Sequence, residues 1–164
     1  MLPYLALLLS AVLVAADQLL KFWAVHQLRP VGTIPIIENI FHLTYIENRG
    51  MAFGMMEGQQ WLLVWVTAAV LLVLVLVILS GRLKHGFPLF TAAVVLGGGA
   101  GNLIDRVYRG YVVDYIHVKA INFAVFNLAD VCVTLGTLAL AAWVIYGELR
   151  RSREGKAEAA GGKS

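Results

Sequence analysis

Four long apolar stretches separated by polar segments determine the organisation of this chain. They lie at about residues 4–25, 60–80, 87–106 and 127–147. A helix needs roughly 20 consecutive apolar residues to cross the hydrocarbon layer of a bilayer, and each stretch reaches about that length. The pattern therefore predicts a membrane all-α protein with four transmembrane helices.

The segment between the first two stretches has a different pattern. Residues 26–58 are too polar and too often interrupted by turn-forming residues to cross a bilayer. From Phe41 to Ile46, apolar side chains alternate with His and Thr, which is typical of a half-buried strand. We therefore expect a small β-sheet element here, on the extracytoplasmic side. Residues 107–125 form a second outer connection, long enough for a strand or a short interfacial helix.

Composition supports the membrane assignment and excludes other classes. The chain is 60% hydrophobic and 14% charged, with a mean hydropathy of +0.77, well outside the range of an ordinary soluble domain. The net charge is only +3, and much of the basicity lies in the C-terminal tail, so no nucleic-acid partner is expected. The single cysteine, Cys132, excludes an intrachain disulfide framework.

The distribution of basic residues predicts the orientation. Seven of the 13 Lys and Arg residues lie in one short turn or in the C-terminal segment: Arg82, Lys84, Arg150, Arg151, Arg153, Lys156 and Lys163. The positive-inside rule places both segments in the cytoplasm, so both termini are expected there. Residues 151–164 are hydrophilic and are predicted to form a disordered cytoplasmic tail. Polar residues from several separate segments then fall toward the outer face: Asp17, Lys21, Asn48, Asn102, Arg106, Asp114, Asn127 and Asp130.

Two of these residues are acids in strongly apolar surroundings. Asp130 follows Phe126-Asn127-Leu128-Ala129, and Asp114 lies within Tyr111–Ile116. A charged carboxylate in the hydrocarbon layer costs about 3 kcal/mol on insertion scales, so an uncompensated one is disfavoured. Two such acids suggest a pair that shares a proton across an activated water. Asn127 lies three residues before Asp130 on the same helical face, where its amide can orient the carboxylate.

Other chemistries fit the sequence less well. Serine catalysis is nearly excluded, because the four serines lie away from the outer cluster or in the tail. His26, His42 and His117 show no metal-ligand spacing, so three surface histidines and no metal site are expected. An ion-coupled membrane transporter, or a scaffold in which Asp130 pairs with Lys21 or Arg106, stays the alternative. A transporter should show repeated halves and midplane breaks, and neither is visible.

An aspartic protease fits the remaining pattern. When two carboxyls are crowded together, repulsion between like charges raises the pKa of one of them, so that one is protonated and the other ionised. The ionised carboxylate takes a proton from water, and the protonated carboxyl polarises the scissile carbonyl. Small residues at 97–101 in the third stretch, four of them glycine, predict close packing between helices.

Five ordered blocks carry a resemblance to a known family, and together they cover most of the chain. The blocks are Asp17–Lys21, Asn48–Phe53, Gly97–Arg106, Val112–Tyr115 and Phe126–Asp130. In this order, within a four-span chain of this length, they resemble the lipoprotein signal peptidase family, also called signal peptidase II. The chain departs from the family pattern at Tyr115, where Phe is usual, and at Arg49-Gly50-Met51, where smaller residues are common.

The resemblance implies an aspartic endopeptidase of the bacterial cytoplasmic (inner) membrane. Such an enzyme cleaves prolipoproteins immediately before a diacylglyceryl-modified cysteine and uses no cofactor. The resemblance places the catalytic pair on Asp114 and Asp130. It implies substrate-binding or supporting roles for nine further residues: Asn48, Gly50, Asn102, Arg106, Asn127, Ala129, Asp17, Lys21 and Asp105.

The same resemblance implies the partners and the domain organisation. Residues 1–150 would form a single integral-membrane protease domain, with residues 107–125 acting as an outer lid over a cleft that faces the periplasmic side. The expected partners are diacylglyceryl-modified prolipoproteins, membrane lipid and, as inhibitors, cyclic peptide antibiotics of the globomycin type.

Overall fold

The computed structural model describes residues 2–50, 59–83 and 86–161. Within these residues, four helices are long and apolar enough to cross a membrane. They are α1 (Leu2–Trp23, continued by a π-helical turn at Ala24–Leu28), α2 (Gln60–Leu79), α3 (Phe87–Arg109) and α4 (Leu128–Gly161). The fold class predicted from the apolar stretches is confirmed.

An antiparallel sheet adjoins the end of the bundle where α1 ends and α4 begins. Its strands, in spatial order, are β1 (Thr33–Ile37), β2 (Phe41–Asn48) and β3 (Val112–Val118). The third strand comes from the 107–125 connection rather than from the predicted sheet region at 26–58. The register places Asp114 opposite Ile46, and Val112 opposite Asn48. Residues 51–58 of the predicted sheet region lie outside the described residues.

Helix α3 is the centre of the bundle and packs against the other three helices. Its glycines allow this close approach. A Cβ on Gly97 would lie 2.9 Å from the Cβ of Leu13 in α1, and a Cβ on Gly98 would lie 2.5 Å from the carbonyl oxygen of Ala129 in α4. Neither distance leaves room for a side chain, so the predicted close packing of this segment is confirmed.

The C-terminal segment differs from the prediction. Helix α4 continues to Gly161, whereas a disordered tail was expected from residue 151. Ala, Glu, Lys and Arg dominate this segment and are strong helix formers. Ion pairs one turn apart also support the helix, between Arg150 and Glu154 at 2.8 Å and between Arg151 and Glu148 at 3.3 Å. Residues 162–164 lie outside the described residues.

Candidate active site

The first turn of α4 fixes the position of Asp130. The backbone N–H of Asp130 donates to Asn127 Oδ1 at 2.9 Å, and the backbone N–H of Asn127 donates to Asp130 Oδ2 at 3.1 Å. This reciprocal pair is a capping box, in which the residue before the helix and the third helical residue satisfy each other's N–H groups. Asp130 therefore has a defined position at the start of the helix.

Other elements satisfy the next two N–H groups of this turn. The N–H of Leu128 donates to the hydroxyl oxygen of Tyr115 in β3 at 3.3 Å, and the N–H of Ala129 donates to Asp17 Oδ1 in α1 at 3.1 Å. The first N–H groups of a helix have no partner within the helix. Here these bonds satisfy them and hold β3 and α1 against the start of α4. Ala129 is fully buried at this junction.

Asp114 reaches the same place from the sheet. Its side chain is 1% exposed, and both carboxylate oxygens accept hydrogen bonds. Asn48 Nδ2 in β2 donates to Oδ2 at 2.9 Å, and Asn127 Nδ2 donates to Oδ1 at 2.6 Å. Asn127 thus donates to Asp114 through its side chain and to Asp130 through its backbone. The structure brings together the two acids that the sequence singled out.

Burial and charge determine the protonation of Asp114. Removal from water raises the pKa of its carboxyl most strongly, and the nearby charge of Asp130 raises it further, to about 7. The hydrogen bonds from Asn48 and Asn127 oppose this increase, because they favour the ionised form. The pKa lies well above the ordinary value for aspartate, so the Asp114 carboxyl retains a proton in much of the population at neutral pH.

A buried ion network lies behind the two acids. The Lys21 ammonium contacts Asp17 Oδ2 at 2.8 Å and Asp105 Oδ2 at 3.1 Å, and Arg109 contacts the other oxygen of Asp105. Lys21 also donates to Asn102 Oδ1 at 2.7 Å. Asp17 and Lys21 lie one helical turn apart in α1, and through its bond to Asn102 Lys21 also supports the residues around Asp130.

The partners of Asp130 bear on the alternative of a transporter or scaffold. In that alternative, Asp130 pairs with Lys21 or Arg106. Among the described residues, no ion pair joins Asp130 to either cation. Asn102 Nδ2 instead donates to Asp130 Oδ1 at 2.7 Å. Within the described residues, the carboxylate of Asp130 is held by amide groups rather than by a salt bridge, which does not match the pairing expected of the scaffold.

Asn48, Gly50 and Arg106 form one edge of the site. The Gly50 N–H donates to Asn48 Oδ1 at 3.0 Å, and Arg106 Nη2 donates to the Gly50 carbonyl oxygen at 3.3 Å. The Nε group of Arg106 is buried and has no hydrogen-bond partner within the described part of the chain. Residues 51–53, which belong to the same sequence block, lie outside the described residues.

The two acids face a cavity of about 380 Å³. Its polar end and apolar wall are formed by Asn48, Asn102, Arg106, Val112, Asp114, Phe123, Ala124, Val125, Phe126, Asp130, Val131, Thr134 and Leu135. The apolar wall was not predicted from the sequence pattern. Helical spacing identifies one further lining residue, Thr134, because it lies one turn after Asp130 on the same face of α4.

The histidines do not converge on the acids. Among the described residues, no group of three or more His, Cys, Asp or Glu side chains is placed to hold a metal ion. The expectation of three surface histidines is wrong for His42, which is only 8% exposed. His42 lies opposite His117 in the β2–β3 register, and their ring centroids are 6.1 Å apart, so the neighbouring strand covers it.

Comparison with known proteins identifies the family. The sequence profile described as signal peptidase (SPase) II matches residues 9–146, a range that includes every candidate site residue. The chain belongs to the signal peptidase II family. Curated relatives called lipoprotein signal peptidase are similar to this chain over most of their length. The protein from Clostridioides difficile is 44% identical over 144 residues, which cover 88% of this chain and 97% of that protein.

A further relative and two solved structures support the same family and fold. The lipoprotein signal peptidase from Clostridium acetobutylicum is 41% identical over 85% of this chain and 92% of its own. Two solved bacterial membrane enzymes have the same fold. One gives a TM-score of 0.80 at 25% identity, over 86% of this chain and 87% of that chain. The other gives a TM-score of 0.75 at 26% identity, over 85% of this chain and 91% of that chain. The chain is a multi-pass membrane protein with this fold.

Proposed function

We propose that this protein is an aspartic endopeptidase that cleaves the signal peptide of prolipoproteins immediately before a diacylglyceryl-modified cysteine. The main observation behind this proposal is that Asn127 bridges Asp114 and Asp130 at the polar end of a cavity with an apolar wall. Membership of the signal peptidase II family supports the peptidase activity. The name of the relatives, lipoprotein signal peptidase, supports the substrate class.

The pair would begin the reaction holding one proton. The ionised carboxylate accepts a proton from a water molecule as that water attacks the scissile carbonyl carbon, while the carboxylic acid donates a hydrogen bond to the carbonyl oxygen. Collapse of the tetrahedral intermediate breaks the C–N bond, and a proton passes to the leaving amine of the modified cysteine. Two interacting carboxyls titrate as a pair, so the single proton belongs to both Asp114 and Asp130.

The supporting residues divide into two groups. Asn48 and Arg106 line the cavity, and Gly50 accepts a hydrogen bond from Arg106. The buried Nε group of Arg106, which has no hydrogen-bond partner within the described residues, would donate to a substrate carbonyl. Asn102 also lines the cavity and donates to Asp130. The remaining residues stand behind the acids and hold them in place: Asp17, Lys21, Asp105, Asn127 and Ala129. Asp114 itself lies on β3, within the 107–125 segment that we propose acts as a lid.

The cavity suits a substrate that carries lipid. Its wall includes Val131 and Leu135 of α4, and Leu135 is also 61% exposed on the surface of the helix bundle. This surface faces lipid if α4 spans the bilayer. The diacylglyceryl chains would therefore reach the cavity sideways from the membrane. Cyclic peptide inhibitors of the globomycin type would compete for the same cavity.

We place the protein in the bacterial cytoplasmic membrane, with both termini in the cytoplasm and the active site toward the outer face. The excess of Lys and Arg in the 82–84 turn and in the C-terminal segment supports this orientation. The substrate's modified cysteine would then meet the enzyme at the outer surface of the membrane.

The test uses purified protein in detergent with two forms of one prolipoprotein, with and without the diacylglyceryl group, each in the presence of a chelator. We expect cleavage immediately before the modified cysteine, unaffected by chelator. We also expect a preference of about tenfold or more for the modified form, because the lipid chains bury apolar surface on binding. Equal cleavage of both forms would contradict the proposed substrate, and loss of activity in chelator would contradict the two-aspartate mechanism.

A further inference from the structure

All three N–H donors of the Lys21 ammonium are in use, and the side chain is fully buried. Two of them contact Asp17 and Asp105, and the third is donated to Asn102 Oδ1. Asp105 also pairs with Arg109, so two acids and two bases balance in charge at this place. The bond to Asn102 is not needed for that balance, and it is the shortest of the three bonds.

This bond determines which way the Asn102 amide faces. Its oxygen accepts from Lys21 at 2.7 Å and from Asn127 Nδ2 at 3.2 Å, while its own Nδ2 donates to Asp130 Oδ1 at 2.7 Å. If the amide were flipped, its NH₂ group would face an ammonium and its oxygen would face a carboxylate. Both contacts are repulsive, and burial makes each of them costly.

The amide of Asn127 is determined in the same way. Its oxygen accepts from the Asp130 N–H at 2.9 Å, and its two Nδ2 hydrogens go to Asn102 Oδ1 and to Asp114 Oδ1. Asn102 Oδ1 is therefore the shared acceptor of Lys21 and Asn127. Asn102 donates its side-chain N–H to Asp130, and Asn127 donates its own to Asp114.

We propose that Lys21 is a positioning residue for the Asp114–Asp130 pair: its ammonium fixes the orientation of Asn102, and with it that of Asn127, so that each carboxylate receives a side-chain amide donor. This inference rests on the proposed function. It predicts that Lys21 affects turnover through Asn102, beyond its contribution to charge balance in the bundle. The other charged groups that face this network are Asp17, Asp105, Arg106 and Arg109.

The test compares two variants that are matched in charge. Both carry Asp17→Asn, which removes one buried acid, and each also lacks one of the two buried bases. Asp17→Asn with Lys21→Met leaves Asp105 paired with Arg109. Asp17→Asn with Arg109→Met leaves Asp105 paired with Lys21, so the bond to Asn102 persists. Relative to Asp17→Asn alone, we expect kcat to fall about tenfold to a hundredfold in the first variant and to be unchanged in the second. KM should change less than about twofold in both, since the lost bond acts on the catalytic carboxylates.

A double-mutant cycle separates positioning from general stability. In the Asp17→Asn background, Asn102→Ala should lower kcat to a similar extent, and adding Lys21→Met to it should produce no further loss, because both changes remove the same bond. Effects that multiply, or an unchanged kcat after Lys21→Met, would overturn the inference. Lys21→Gln, which retains an N–H donor, serves if Lys21→Met fails to fold, and it should recover part of the kcat.

Failure of this inference is distinguishable from failure of the proposed function. If Lys21 has no positioning role, Asp114→Asn and Asp130→Asn will still lower kcat by about 10²-fold to 10⁴-fold, while the Lys21 variants retain their kcat. If the proposed function is wrong, the two aspartate variants themselves will retain activity. Thermal unfolding of every variant in detergent shows whether a loss of kcat accompanies a folded protein.

Discussion

Asp114 and Asp130 occupy different kinds of position, and this gives them different surroundings. Asp114 lies in the middle of a strand and is 1% exposed, whereas Asp130 lies in the first turn of a helix and is only partly buried. Both acids line the cavity. Each accepts two hydrogen bonds from amide groups. The raised pKa of Asp114, caused mainly by burial, therefore gives the pair a proton to donate near neutral pH.

The pH dependence of kcat/KM follows from this pKa. Below about pH 7 the pair holds the required proton, and above it both carboxyls become charged, so activity should be lost as the pH rises. We expect kcat/KM to fall about tenfold per pH unit on the alkaline side, measured with the lipid-modified precursor from about pH 5 to about pH 9. An activity that stays constant to about pH 9 would show that Asp114 supplies no proton.

The sequence contains enough information to find these acids but not all their partners. Asp114 and Asp130 stand out because charge is costly in apolar segments. Asn127 is found because it lies one helical turn before Asp130. The Tyr115 hydroxyl, which accepts from Leu128 N–H, could not be found in this way, because that contact depends on how β3 lies against α4. The same holds for Gln18, which donates to the Gly101 carbonyl oxygen from another helix.

At the scale of elements, contacts of α3 bring the acids together. Asp130 lies on α4, and a Cβ on Gly98 would lie 2.5 Å from the carbonyl oxygen of Ala129 and 2.8 Å from the Cβ of Cys132. The absence of a side chain at Gly98 thus allows the start of α4 to approach Asn102. The position of Asp130 depends on this helix contact as well as on its hydrogen bonds.

Gly98→Ala should therefore separate α3 from α4. Overpacking of a close helix contact costs about 1–3 kcal/mol, so we expect a lower unfolding temperature in detergent together with reduced cleavage. Gly147→Ala is the matched control, because it makes the same change in a helix where no atom lies within 4 Å of the added Cβ. A Gly98→Ala protein with the stability and activity of the control would mean that this contact is not needed.

The positions of the helices and strands could be predicted only in part from the sequence. The four spans follow from length and hydropathy alone. The strand β3 was harder to identify, because Val112, Val113, Asp114 and Tyr115 are all buried and the apolar and polar positions do not alternate. The helical C-terminal segment does not follow from composition alone, because a hydrophilic composition is typical of disorder while the same residues are also good helix formers.

For the whole molecule, the fold gathers polar residues from α1, α3, α4 and the sheet at one end of the bundle. The positive-inside rule alone assigns that end to the outer side, because contacts within a chain do not distinguish the two faces of a membrane. Orientation is therefore a separate prediction from the fold. The basic residues of the 82–84 turn and of the C-terminal segment make that prediction.

Cysteine labelling tests the orientation. In a Cys132→Ala background, Thr33→Cys introduces an exposed thiol on β1, and Ser80→Cys introduces one at the end of α2. In intact spheroplasts, we expect a membrane-impermeant maleimide to label the cysteine at 33 and not the one at 80, with both labelled after lysis. The reverse pattern would place the acids on the cytoplasmic side and contradict the proposed orientation.

The pairing of Asp114 with Asp130 is tested most directly by replacing each acid with its amide and measuring cleavage of the diacylglyceryl-modified precursor. We predict that Asp114→Asn and Asp130→Asn each lower kcat by about 10²-fold to 10⁴-fold in proteins that remain folded and inserted, because each removes a positioned acid–base group. Glu154→Gln, which changes an ion pair in the C-terminal part of α4, should cleave at the wild-type rate. Wild-type cleavage by either aspartate variant would contradict the two-aspartate account.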